Sequence, residues 1–266
     1  MLRQTLLLLS ISAQFSFGQM GIPAIHNRSF KPGDGDAILL LAQPASASRL
    51  KSFSASVYSE KRFLLEGLNN SMGSIGFPLS FGGIGIAIQY FGSPEFNLNS
   101  AGLIYGKNLG KVDLGIRFSY TSITINGYGK ANAIQYELGS IWQITDRIHS
   151  AILLVNPFGG RFGAGRMEKF SSVYRFGLGY KASENVFVAI EMIKEEEKPV
   201  NFNAGLYYSF RKKFFLQGGI QTQIASPYWV IGYQLKKIRI EAHCSYHQQL
   251  GFSPALLLIF SSKVEE

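Results

Sequence analysis

Residues 238–247 read IRIEAHCSYH. Ile238, Ile240, Ala242, Cys244 and Tyr246 take one parity, and Arg239, Glu241, His243, Ser245 and His247 take the other. Strict alternation of this kind predicts a strand with one apolar and one polar face, because successive side chains leave a strand on opposite sides. The stretch also holds the chain's single cysteine and two of its four histidines. As a catalytic pair, His243 and Ser245 lack an identifiable Asp or Asn to orient the base. His243 and His247, four residues apart on a strand, lie roughly 13 Å from one another and cannot share a metal. The fold therefore turns on whether the apolar face looks at a core or at lipid.

The same alternation recurs along the chain. It predicts strands at about 49–58, 71–78, 83–91, 97–107, 111–124, 131–144 and 147–155. A further seven are predicted at about 171–181, 185–194, 199–210, 213–223, 227–236, 238–247 and 251–261. Short turns at 79–82, 108–110, 145–146, 182–184, 211–212 and 236–237 alternate with longer connections at 59–70, 92–96, 125–130, 156–170 and 195–198. Short turns at one end and long loops at the other mark an outer-membrane barrel. A soluble sandwich also alternates, so the decision rests on which parity carries charge. Arg117, Glu137, Arg175, Glu191, Arg239, Glu241 and His243 all fall on the parity opposite the aliphatic one. The other parity is almost free of charge and ends in Tyr90, Tyr120, Trp142, Tyr180, Tyr208, Tyr233 and Tyr246, the pattern of a lipid belt between aromatic girdles. The predicted fold is all-β: an antiparallel transmembrane β-barrel of about fourteen strands, with a short N-terminal helix or plug segment.

Composition agrees. Of the 266 residues, 46% are hydrophobic and only 16% charged, against roughly 25% charged in soluble domains. That apolar content excludes disorder. One cysteine excludes an intrachain disulfide framework and a cysteine-based zinc cluster. The net charge of +9 comes with no basic helix and no basic-aromatic RNA motif, so anionic lipid and lipopolysaccharide are the expected partners and nucleic acid is not. No cofactor, metal or catalytic residue is predicted.

The N-terminus has a basic start, Met1–Gln4, an apolar run from Thr5 to Phe17 and a small-x-small site, Ser16-Phe17-Gly18. It reads as a secretory signal peptide over 1–18, with Gln19 rather than a lipoprotein's cysteine next. Residues 19–47 form an N-terminal segment with a short helix, and 48–266 form the barrel. The helix spans Gly35-Asp36-Ala37-Ile38-Leu39-Leu40-Leu41-Ala42-Gln43-Pro44-Ala45, opened by Asp36 and stopped by Pro44. Asp36, Ala37, Gln43, Pro44 and Ala45 are the candidate plug residues; the segment either fills the lumen or packs on the rim. The inward charges either line a path for anionic solutes or brace a plugged barrel as ion pairs. The expected location is the bacterial cell outer membrane.

Asp36-Ala37 followed by Gln43-Pro44-Ala45 and Ser48, then by Gly76-Phe77-Pro78 and Phe81-Gly82-Gly83-Ile84-Gly85, resembles the PorV/PorQ family of FadL-related barrels, with Gln43 where the family usually carries Asn. The resemblance covers most of residues 33–262 as pattern rather than identity. It implies a fourteen-stranded barrel of Bacteroidota, not an enzyme, acting as an accessory subunit that binds other envelope proteins in a type IX secretion-like or outer-membrane assembly complex. A FadL-like channel for small hydrophobic ligands is the alternative. The His-x-Ser pair at 243–245 raises a third, an outer-membrane lipid hydrolase, which it resembles only superficially.

Overall fold

A computed structural model of the protein describes residues 22–33, 35–162, 168–196, 198–211, 213–222 and 225–262, with the side chains of 160–162 and 168–170 excepted. The predicted signal peptide lies outside the described residues. The first barrel strands are β1 (Ser54–Lys61), β2 (Asn69–Leu79), β3 (Gly82–Gly92), β4 (Phe96–Asn108), β5 (Val112–Ile125), β6 (Gly129–Gln143) and β7 (Ile148–Val155). After a small loop hairpin, β8 (Gly160–Phe162) and β9 (Glu168–Phe170), the barrel resumes. Its second half is β10 (Val173–Lys181), β11 (Val186–Glu195), β12 (Asn201–Phe210), β13 (Phe214–Gln221), β14 (Ser226–Leu235), β15 (Ile238–His247) and β16 (Gly251–Ser261). Each barrel strand pairs antiparallel with its chain neighbour, β7 with β10 across the loop hairpin, and β1 closes on β16 with Ser54 opposite Ser261. The described residues thus form a closed fourteen-stranded barrel.

Alternation decides what each face meets. On β5, Leu114, Phe118 and Tyr120 are exposed while Asp113, Ser119 and Thr121 are buried. On β10, Tyr174, Phe176, Leu178 and Tyr180 are exposed while Arg175 is buried. The exterior is therefore an apolar belt, with Trp142, Tyr180, Tyr208 and Tyr233 toward the short turns and Tyr90, Tyr120, Tyr174 and Trp229 toward the long loops. A surface of this kind is stable only against lipid, and a closed barrel leaves no backbone edge unsatisfied there. No described helix is long and apolar enough to cross a membrane; the strands do so.

Three differences from the sequence expectation sit at the N-terminus. The first strand begins at Ser54 rather than near 49, because Pro44–Arg49 turns as a 3-10 helix. Regular helix within 35–45 is confined to α2 (Leu39–Ala42), whose Leu39 N–H donates to Asp36 Oδ1 at 3.4 Å. A second helix, α1 (Pro23–Ser29), precedes it. Its sequence PAIHNRS carries no apolar period to betray it, since it is surrounded on all sides inside the barrel. Pro23 at its first position is the one helix-start signal it has.

Candidate functional site: a plugged lumen and its cavity

Residues 22–33 and 35–50 fold back into the barrel. Ile25, Phe30, Ala37, Ile38, Leu40, Ala45 and Ala47 are all essentially inaccessible. Their seat is a trough of glycine. Gly83, Gly106, Gly115 and Gly139 face inward and pair directly with one another across β3, β4, β5 and β6. The backbone from Gln43 to Ala47 lies in this trough: a methyl group on Gly83 would overlap the Ala47 carbonyl, one on Gly115 the Pro44–Ala45 peptide, and one on Gly139 the Gln43 amide. Glycine is required here by the close approach of two backbones. The candidate plug residues Gln43, Pro44 and Ala45 therefore occupy the lumen, at the short-turn end.

Polar contacts fasten the segment to the wall on all sides. Ala37 donates its N–H to Ser54 Oγ (3.0 Å) and accepts at its carbonyl from Ser74 Oγ (2.6 Å). Gln43 Nε2 donates to the carbonyls of Ile152 (3.1 Å) and Ser140 (3.4 Å). Asn27 donates to Tyr228 (2.8 Å) and Asn203 (3.1 Å), and Gln217 donates to the Ala24 carbonyl (2.8 Å). Arg49 pairs with Asp113 at 2.7 Å.

The inward charges expected from sequence form three groups. Arg239, Glu241 and His243 of β15 make one cluster with two plug residues: Arg239 pairs with Asp36, while Glu241 accepts from Arg239 (2.7 Å), Arg28 (3.0 Å) and His243 Nε2 (2.9 Å). His243 is thus engaged by Glu241 rather than by Ser245, and Cys244 is half-buried with Sγ 3.9 Å from the Ser245 carbonyl. Arg117 pairs with Glu137 and also donates to the Leu41 carbonyl (3.2 Å). Arg175 pairs with Glu191 at 3.3 Å, and His26 Nδ1 stands 3.9 Å from the same carboxylate. Burial, reinforced by the Arg175 and Arg117 guanidiniums, pushes the His26 imidazole well below its ordinary range. His26, Asn27, Arg28, Arg49 and Asp113 were not among the residues expected from sequence. Asp113 alone carried a signal, a carboxylate on the inward parity of β5. No cluster of three or more metal-ligating side chains occurs among the described residues.

Between plug and wall lies a cavity of about 110 Å³. Ile22, Ile25, His26, Leu41 and Ala42 bound it from the plug, and Met72, Ala87, Gln89, Ser100, Arg117, Ser119, Gln135, Glu137, Leu153, Val155, Val173 and Arg175 from the wall. A second space of about 60 Å³ lies toward the long loops beside Tyr58, Glu60, Tyr228, His243 and His247, and Ile22 borders both.

No family model and no curated protein sequence matches the chain. Solved structures do resemble it. One described as the CymD monoaromatic hydrocarbon channel superposes with a TM-score of 0.66 at 9% identity, covering 94% of this chain and 100% of that one. The Ralstonia pickettii toluene transporter TbuX gives 0.64 at 10% identity, with 94% and 100% covered. A Pseudomonas aeruginosa FadL homologue gives 0.59 at 8%, with 88% and 96% covered. The protein has the fold of FadL-like outer-membrane barrels. At these identities the likeness concerns the fold, and it extends to neither PorV/PorQ membership nor a Bacteroidota origin.

Proposed function

We propose that the protein is an outer-membrane channel that passes small, largely apolar solutes by diffusion through the lumen. The observation that carries this reading is the ring-sized cavity held between an ordered N-terminal plug and the barrel wall. Its volume of about 110 Å³ is of the order of the roughly 150 Å³ apolar cavity known to admit benzene. Its lining joins apolar side chains to converging polar groups, as in small-molecule sites generally. The plug blocks an aqueous pore, so bulk ions and large solutes are excluded. The monoaromatic and toluene channels among the structural neighbours support the same reading. The accessory-subunit reading rests on the sequence resemblance alone.

The test is uptake of radiolabelled toluene by cells that lack their own hydrocarbon channel. Expression of the protein is expected to raise uptake, and Ala87→Trp, which fills the cavity from β3, to return it to the background rate. Equal uptake with and without the protein would overturn the reading.

A further inference from the structure

One wall of the inner cavity is polar in an ordered way. Gln89 and Ser100 are direct cross-strand partners on β3 and β4, and Ser119 and Gln135 are direct partners on β5 and β6. Ser119 and Gln135 are each more than nine-tenths buried, and both line the cavity. Thr121 donates to Gln135 Oε1 at 2.8 Å, which leaves the Gln135 amide N–H groups as donors toward the cavity, with no partner among the described residues. The Ser119 hydroxyl likewise has none. Gln89 gives its amide to Asn70 at 3.2 Å and keeps its own oxygen as an acceptor. Ile22, Ile25 and Leu41 face this wall from the plug, and beyond Glu137 the wall continues into Leu153, Val155 and Val173 on β7 and β10.

The charges bordering the cavity are already balanced. Arg117 is matched by Glu137 and Arg175 by Glu191. A carboxylate ligand would add a buried negative charge with no counter-charge to meet it. A bare hydrocarbon would displace water from the Ser119 and Gln135 donors and put nothing in its place. A neutral molecule with one oxygen satisfies those donors and leaves its ring or short chain for the apolar side chains.

We propose that this cavity selects small uncharged amphiphiles, a single ring or short chain bearing one hydroxyl or carbonyl oxygen, with that oxygen held by Gln135 and Ser119. The proposal rests on the channel reading and narrows its substrate class. Gln135 and Ser119 are the specificity-determining residues, and Leu153 and Val155 hold the apolar end.

Isothermal titration of the full-length protein in lipid nanodiscs, with empty nanodiscs subtracted, tests it with phenol, toluene and benzoate as probes. Phenol is expected to bind about tenfold more tightly than toluene, the worth of roughly one hydrogen bond, with benzoate weakest. Gln135→Leu is expected to bring the phenol-to-toluene ratio to about one by weakening phenol and sparing toluene. Toluene binding as tightly as phenol, benzoate binding best, or a ratio unmoved by Gln135→Leu would overturn the proposal while leaving the channel reading standing. Binding of none of the three would overturn both. The wild-type ratio decides the matter even where the variant does not fold.

Discussion

Glu241→Ala is the sharpest perturbation of the plug. Glu241 is completely inaccessible and accepts from Arg28, Arg239 and His243. Truncation leaves Arg239 with Asp36 as a remaining partner, but Arg28 loses its carboxylate. Arg28 is buried, and its other terminal nitrogen, Nη2, already has no hydrogen-bond partner. The result is one uncompensated buried guanidinium, a change that costs about 3–5 kcal/mol. The cost falls on the docked state of the N-terminal segment, because α1 can leave the lumen and carry Arg28 into water while the barrel ladder persists. Planar-bilayer recording is expected to show a rise in conductance, and limited proteolysis to show cleavage within 22–50 that the wild type resists. Urea unfolding in vesicles, followed by the fluorescence of Trp142 and Trp229, reports the barrel separately. The double change Arg28→Met with Glu241→Met removes both charges, leaves the Arg239–Asp36 pair intact and is expected to recover most of the lost closure. Glu241→Ala channels as tight and as protease-resistant as the wild type would refute the idea that this cluster holds the plug.

Three further outcomes are expected. Gly115→Leu places a side chain where the Pro44–Ala45 peptide lies, so it is expected to expel the plug and raise conductance while the folded barrel keeps its fast migration in unheated gels; unchanged conductance counts against the trough. Leu103→Arg, on the lipid face of β4, is expected to lower barrel stability in urea by about 2–4 kcal/mol, whereas the inward Ser100→Arg on the same strand escapes that lipid penalty; equal losses would contradict the assignment of faces. Ser245→Ala is expected to leave lysophospholipid levels in expressing cells as they are with the wild type, since His243 Nε2 is committed to Glu241; a drop would revive the hydrolase reading.

How far the sequence reached depended on the range of the interaction concerned. IRIEAHCSYH and its thirteen companions announced themselves because a strand's faces alternate at every residue, so lipid on one side and lumen on the other imprint a period of two that any window of ten residues displays. Most strand ends and the aromatic girdles follow from that local rule together with turn length; the start of β1 does not, since Pro44–Arg49 turns as a 3-10 helix. The plug obeys no local rule. Gln43-Pro44-Ala45 and PAIHNRS take their conformation from what surrounds them, so the helix within 35–45 shrank to four residues and α1 went unforeseen. The glycines at 83, 106, 115 and 139 each look like an ordinary small inward residue. Only the register of four strands lines them up into a trough, and only the returning chain shows what the trough is for.

The same division holds for the charges. Alternation alone put Arg117, Glu137, Arg175, Glu191, Arg239, Glu241 and His243 on one parity. Which carboxylate meets which guanidinium was settled by partners up to 213 positions away, as for Arg28 and Glu241. Parity is a property of the covalent chain and survives in its sequence. Pairing energy depends on distance in a desolvated space, and that space exists only once the barrel has closed around its own N-terminus.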